Sequence, residues 1–482
     1  MVLRASHTPY SIASVQQAIS NGKTVRAIVE EHLKAIEELD SKINSITALN
    51  PQALQDAEQL DRLDSSKRGP LFGVPIVIKD QIETAGIPTA FGSIRCKDYI
   101  PATDATLITK LKEAGAVIIA KSVMPDWATS WWSTSSLSGT TKNPYDLSRE
   151  PGGSSSGSAA AVASAMAVAG IGGDTGGSIR LPSNFCGLVG VRVTPGRISR
   201  DGMSALVTTQ DTPGPMTTSV EDAAKILDVI AGFDEKDEFT SINAIKPLGS
   251  FQTAIQGPSI KGKRLGVLRQ AFGTHKGVTK VIGSALDRFA QAGAELIDVE
   301  IPDLEYYKSY TFIYPIRSKS DINGFLASRK ELAHLKIEDL QAAGEYHKAL
   351  DLIDRIAVGP ADMTEAPDFA AKLLAQMKFQ RLTAAIFAKH KLDAMIYPTS
   401  QLPAPKTQDI LDMRWSCADY PTNTIIGSQL LWCAMSVPVG KTVDVEEDPD
   451  GPELPIGLEV LCLPLDEERM MAIGAGVEAA MK

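Results

Sequence analysis

Positive charge is in short supply in this 482-residue chain. Its 48 lysines and arginines stand against 58 aspartates and glutamates, a formal net charge of -10, and no basic run offsets the balance. Such a chain offers no electrostatic footprint for a nucleic acid or an anionic membrane, and neither is expected as a partner. Long apolar runs are missing as well. No stretch reaches the roughly 18 to 20 apolar residues that a bilayer span requires; the nearest, residues 159–171, is small-sided and interrupted by Ser164 and Gly170. The opening residues carry no apolar core of the secretory-signal kind, which makes a cytoplasmic location the expectation. Cysteine is sparse: Cys96, Cys186, Cys417, Cys433 and Cys462 lie far apart with no C-x-x-C spacing. Buried, reduced thiols are expected from them, not a disulfide framework or a zinc site. The six histidines are equally scattered and form no H-E-x-x-H, so no metal and no cofactor are expected. No fixed-period repeat is present.

What the chain has is apolar content, 44%, enough for one large α/β domain or for two or three smaller ones. Residues 11–21 and 24–39 read as capped helices, with His32 on the apolar stripe of the second as a packed residue. A helix over 106–114 followed by a strand over 116–120 looks like part of a β-α-β unit and supports a sheet covered by helices. Downstream, strands over 261–267, 295–299, 394–399, 430–439 and 454–461 alternate with helices over 278–292, 369–390 and 466–481. Between 306 and 360 the pattern turns helical, charged and irregular, and no Pro/Gly/Ser linker flanks it.

Two glycine and serine clusters organise the rest. Residues 151–157 run into the helix-forming stretch 158–166, and a second cluster, 172–178, ends in Ser178-Ile179-Arg180. A flexible linker is the ordinary reading of such composition, and the helix between the clusters argues against it. Two tight glycine turns bracketing a short buried helix leave backbone N–H groups bare, and N–H groups converging near a hydroxyl are what acyl transfer requires. A serine hydroxyl also needs a base. With no histidine near either cluster, the candidate is Lys79, at the end of the β-branched run Val74-Pro75-Ile76-Val77-Ile78. To accept a proton it must be neutral, which requires burial to bring its pKa from about 10.4 toward about 7. The alternative is a salt bridge from Lys79 to Asp80 or another carboxylate.

The motifs resemble those of the amidase signature family of serine hydrolases. The resemblance rests on Gly73-x-Pro75-x-x-x-Lys79-Asp80, on Asn143-Pro144-Tyr145-Asp146 leading to Gly152-Gly153-Ser154-Ser155, and on Asp174-Thr175-Gly176-Gly177-Ser178-Ile179-Arg180. Ser178 follows Ser154 by 24 positions, as the family pattern requires, and Gly214-Pro215-Met216-Thr217 and Ser436-Val437-Pro438-Val439-Gly440 extend the match over nearly the whole chain. The resemblance implies a single α/β/α domain over 1–482 with a large, mostly parallel mixed sheet covered by helices. Within it, 1–65 would be an N-terminal helical region, 66–235 the signature core, and 300–390 a variable helical excursion over the active site. It further implies Ser178 as nucleophile, Ser154 after a cis peptide bond as the bridging serine, and Lys79 as the base. The N–H groups of Thr175, Gly176, Gly177 and Ser178 would form the oxyanion hole. Ala128, Thr129, Ser130 and Trp131 would line the substrate.

The departures concern shape. Ser156, Gly173, Ser183-Asn184 and Val193 stand where the family commonly has other residues, and none replaces a catalytic group. Trp127, Trp131 and Trp132 lie within six positions of one another in a loop that flanks the clusters, where an apolar substrate wall would sit. This suggests hydrolysis of amide-type C–N bonds in a hydrophobic or aryl substrate, with anilides, carbamates and esters as candidates. The expected partners are a small-molecule amide or carbamate and water, on a monomer or homodimer. Two other readings stand beside it: the glutaminase subunit of an aminoacyl-tRNA amidotransferase, with partner subunits, and a catalytically silent binding protein of the same fold.

Overall fold

The computed structural model describes residues 2–8, 10–417 and 419–482. Eleven strands form its main sheet: β1 (Ile46–Leu49), β2 (Pro75–Lys79), β3 (Val117–Ser122), β4 (Ala169–Asp174), β5 (Val189–Arg192), β6 (Thr212–Thr217), β7 (Arg264–Leu268), β8 (Glu295–Val299), β9 (Ala394–Pro398), β10 (Ala434–Thr442) and β11 (Leu454–Leu461). Their order across the sheet is β1-β3-β2-β4-β6-β5-β10-β11-β9-β7-β8. The sheet is mixed, as expected, but not mostly parallel. Four pairings are parallel, β2 with β3 and β4, and β7 with β8 and β9, whereas six are antiparallel. One cause is visible in the connections: β10 and β11 are joined directly through residues 443–453, too few for the crossover helix that a parallel neighbour needs.

Burial explains the strand compositions. β2, β4 and β11 are buried along their whole length, which suits the near-continuous apolar runs of strands covered on both faces. The helix Ser156–Ala163 is likewise buried all round, so its serines and alanines show no amphipathic stripe. Gly172 and Gly173 lie inside β4 and not in a tight turn. Glycine is used for close approach: a Cβ on Gly172 would stand 2.7 Å from Ser155 Oγ. β6 has no strand signal in the sequence, because Pro213 and Pro215 argue against a strand interior.

The parallel register of β2 and β4, Ile76 opposite Ala169 and Ile78 opposite Ile171, brings their C-terminal ends together. Lys79 ends β2 and Asp174 ends β4, so the loops after them open at one edge of the sheet, where α/β folds place ligands. Helices Leu304–Tyr310, Tyr314–Ala327, Ile337–Ala343, Asp351–Ala357 and Phe369–His390 make up the stretch from 304 to 390. No helix among the described residues is long and apolar enough to cross a membrane.

Candidate active site

Lys79 and Ser154 meet at the strand ends. Lys79 Nζ donates to Ser154 Oγ at 2.8 Å and to the Gly173 carbonyl at 3.2 Å, and both side chains are fully buried. The Gly153–Ser154 peptide bond is cis. Among the described residues no carboxylate lies within 4.0 Å of Lys79. Asp80, the alternative partner, turns away: its carboxylate accepts the N–H groups of Ala90 and Gly92 at 3.0–3.2 Å and faces a second buried lysine, Lys121. Burial lowers the Lys79 ammonium to about 7, against the pull of the negative Asp174 and Asp211. Near neutral pH a large share of this amine is therefore uncharged and able to take a proton.

Ser178 sits across from this pair at the start of the segment that feeds the helix Arg180–Phe185. Its carbonyl accepts the Ser155 N–H at 3.1 Å, which ties the two serine segments together. Its Oγ donates to nothing among the described residues and faces a cavity. The turn before it is held by ionic contacts. Asp174 accepts the N–H groups of Gly177 at 3.0 Å and Ile179 at 3.1 Å, and pairs with Arg180 at 3.1 Å and Arg192 at 3.0 Å. Burial alone would raise this carboxyl, but Arg180 and Arg192 outweigh it and hold Asp174 well below the usual carboxylate range. Arg180 also contacts Glu459 and Ser428. The Gly177 N–H is thus already engaged, and the open N–H donors of the turn, among the described hydrogen bonds, are those of Thr175, Gly176 and Ser178. From the far side, Thr424 Oγ1 donates to the Gly176 carbonyl at 2.9 Å. Gly177 has φ +122, and a Cβ there would collide with Thr424 Oγ1 at 1.9 Å, so only glycine fits.

The cavity beside Ser178 measures about 10 Å3, room for no more than one water molecule. Ala128, Thr129, Ser130 and Trp131 line one side, and Leu206, Phe312, Tyr314 and Leu352 close it. The tryptophan wall is smaller than the sequence suggests. Trp127 stacks on Phe91 at 5.2 Å and Trp132 packs edge-on against Tyr420 at 5.0 Å; both are core, because the loop turns at Trp127 and Ala128, which adopt positive φ. Beyond Trp131 and Phe312 a second cavity of about 490 Å3 opens, lined by Glu305, Lys308, Arg355, Asp419, Gln270 and Gln401 among others.

Phe312, Tyr314, Leu352 and Thr424 were not legible as site residues. Each lies more than 130 positions from Ser178 in the chain, and no local pattern marks them. Among the described residues no group of three or more His, Cys, Asp or Glu side chains is placed to hold a metal ion. All five cysteines are buried and unpaired.

Known proteins resemble this chain over nearly its whole length. A family model described as Amidase matches residues 27–471. The A subunit of glutamyl-tRNA(Gln) amidotransferase from Deinococcus radiodurans is 34% identical over 97% of this chain and 96% of its own. Among solved structures, the peptide amidase of Stenotrophomonas maltophilia superposes with a TM-score of 0.86 at 28% identity, covering 98% of this chain and 97% of that one. The A subunit of the Thermotoga maritima glutamyl-tRNA(Gln) amidotransferase does so with a TM-score of 0.77 at 26% identity, covering 97% and 94%.

Proposed function

Because this chain belongs to the amidase family, an enzyme family that acts on C–N bonds, we propose that it hydrolyses a primary carboxamide through an acyl-enzyme on Ser178. The observation that carries this reading is the buried Lys79–Ser154 hydrogen bond at 2.8 Å, with a lysine whose pKa is about 7 and whose strand end adjoins the Ser178 turn.

In the proposed sequence Ser178 Oγ attacks the amide carbon. Its proton passes to Ser154 Oγ as the Ser154 proton passes to Lys79 Nζ. The N–H groups of Thr175, Gly176 and Ser178 stabilise the oxyanion, an effect whose individual donors are worth about 3 to 4 kcal/mol in comparable sites. The tetrahedral species collapses with cleavage of the C–N bond, and the ammonium of Lys79 returns a proton through Ser154 to the departing nitrogen. Water then adds to the acyl-enzyme, losing its proton along the same path, and Ser178 leaves with a proton as the carboxylic acid is released.

Two features favour a primary amide. Room for about one water molecule beside Ser178 suits ammonia as the leaving group better than an arylamine. The outer cavity, with charges of both signs and two glutamines, suits a polar acyl portion. The aryl or carbamate substrate suggested by the tryptophan cluster has less support, since only Trp131 borders the cavity. A second reading, the glutamine-hydrolysing component of an amidotransferase with partner subunits, is favoured by the 34% identity to one component of such an enzyme; glutamine is itself a primary carboxamide.

The test is ammonia and amine release by the purified chain from glutamine, peptide amides, aliphatic amides and aryl amides, run beside Ser178→Ala. The primary amides should be turned over best, and Ser178→Ala should lose at least about a thousandfold. A preference for aryl amides, or wild-type turnover by Ser178→Ala, would overturn the substrate or the nucleophile respectively.

A further inference from the structure

Asp211 is a buried carboxylate that this mechanism does not use. It lies just before β6, 3% exposed, and among the described residues no cation comes within 4.0 Å of it. A carboxylate so placed must be satisfied by hydrogen bonds, and its partners are informative. Thr175 Oγ1 donates to it at 2.5 Å, the Leu206 N–H at 2.8 Å and the Val207 N–H at 3.1 Å. Thr175 supplies one of the open N–H groups of the turn, while Leu206 borders the cavity beside Ser178. One carboxylate therefore fastens the turn that faces the reacting carbonyl to the wall that faces the substrate. The backbone behind it is fixed independently. Gln210 Nε2 donates to the Thr175 carbonyl at 3.4 Å, and Arg192 bridges the Gln210 carbonyl and Asp174.

We infer that Asp211 is a positioning residue for the reaction, holding the Thr175 N–H at the angle an oxyanion needs by gripping the Thr175 hydroxyl. The inference rests on the reading of Ser178 and its turn as the reaction centre. It assigns a second aspartate to the turn beside Asp174, with a different task. Asp174 takes the Gly177 and Ile179 N–H groups and sets the ionic frame, whereas Asp211 sets the first donor and the cavity wall together. The ionised form accepts from all three donors, whereas a protonated acid or an asparagine keeps the Leu206 and Val207 N–H groups on one oxygen and must donate to the Thr175 hydroxyl, which replaces the charge-assisted bond by a weaker, reversed one.

Protonation connects to the same geometry. Burial raises Asp211 to about 6 despite those hydrogen bonds, and Asp321 adds to the rise. The charged or titratable groups around it are Lys79, Tyr314 and Asp321, the last paired with Arg317 at 2.7 Å, and, lining the same cavity as Asp211, Arg200, Asp201, Lys236 and Asp237. As pH falls through about 6 the carboxylate is lost, so its contribution to turnover is present above that pH and fades below it. Lys79, at about 7, must also be neutral. The acid limb of kcat is therefore expected to fall more steeply than one group allows.

Three variants test this with the primary amide that the wild-type chain turns over best. Thr175→Val keeps the N–H and removes the hydroxyl, Asp211→Asn keeps the shape, and the double variant measures their coupling. Both single variants are expected to lower kcat about tenfold to a hundredfold with KM changed less than threefold, and to slow covalent labelling by a fluorophosphonate in proportion. The double variant should be little worse than either single one, because both remove the same grip. In Asp211→Asn the acid limb should flatten to the slope of one proton. Should Asp211→Asn fold poorly, Thr175→Val carries the test alone. Wild-type kcat in Thr175→Val and Asp211→Asn, with Ser178→Ala inactive, would overturn the Asp211 assignment and leave the nucleophile intact. Turnover by Ser178→Ala would remove the reaction centre, and this inference with it.

Discussion

The signature core and the helical stretch from 304 to 390 meet at one cavity, and they are built in opposite ways. In the core, Lys79, Ser154, Asp174, Arg180 and Arg192 are fully buried, and each is fixed by a strand end or by a charged partner. In the helical stretch, Val358 is 82% exposed and Leu374 is 65% exposed, while Phe312, Tyr314 and Leu352 reach inward to close the site. The difference teaches a division of labour. Proton transfer of the proposed kind needs angles and distances that only a rigid, desolvated frame holds, and the strand ends that carry Lys79 and Asp174 supply such a frame. Selection of a substrate needs only a wall of suitable shape, which a stretch of surface helices can supply.

This division can be broken most directly at the ionic frame. Arg180→Met leaves Glu459 without its buried partner and Asp174 with Arg192 alone, and should destabilise the fold by about 3 to 5 kcal/mol in urea unfolding. A loss below about 1 kcal/mol would mean that the core is no more rigidly determined than the helices.

Lys79→Met should show the core trading stability for chemistry. It is expected to abolish turnover and yet raise stability at pH 7 by about 4 kcal/mol, since a lysine lowered from 10.5 to about 7 by burial is a cost to the folded state. The sign follows from proton uptake. Between about 7 and 10.5 the unfolded chain holds the proton and the folded chain does not, so wild-type stability rises with pH across that window. The advantage of Lys79→Met should accordingly shrink as pH approaches 10.5, which thermal unfolding across a pH series will show.

On the helical side, Phe312→Ala should enlarge the cavity at Ser178 and shift selectivity toward larger leaving groups by about tenfold in relative kcat/KM. Turnover of the small amide should stay within a few-fold. If kcat for that amide fell as far as in Ser178→Ala, the helices would belong to the catalytic frame and the contrast would disappear. The smallest effect is expected at Met377, 51% exposed on the long helix Phe369–His390, where Met377→Ser should change stability by no more than about 0.5 kcal/mol in the same urea measurement.

The sequence was most legible where function constrains the backbone locally. The β-branched run ending in Lys79, the spacing of Ser154 and Ser178, and the helix after the first glycine cluster could all be read along the chain, because each depends on neighbours within a few residues. Much of the closing helix-strand alternation was legible for the same reason, with 369–390 and 454–461 read to the residue, whereas the strand expected over 430–439 runs over Ala434–Thr442, after a helix, Thr424–Leu430, that the sequence did not disclose. β6 was not, since its two prolines carry a strand only where tertiary pairing with β4 and β5 overrides local preference. Nor was the balance of parallel and antiparallel pairs, which depends on the order in which strands are laid down across the sheet. Trp127 and Trp132 read like Trp131, and only the positive φ at Trp127 and Ala128 decides which ring faces the cavity.

By itself, then, the order of residues determined the candidate reacting groups: a lysine that ends a buried strand, two serines 24 positions apart, and a glycine pair immediately before the second of them. Those depend on chain-local chemistry, which propensity and spacing express directly. Tertiary structure alone decided that Thr424 would brace Gly176, that Asp211 would grip Thr175, and that Phe312 and Leu352 would limit the cavity to about one water. Such contacts join segments dozens to hundreds of positions apart, and packing, not pattern, selects among the many partners that any one of these residues could have had.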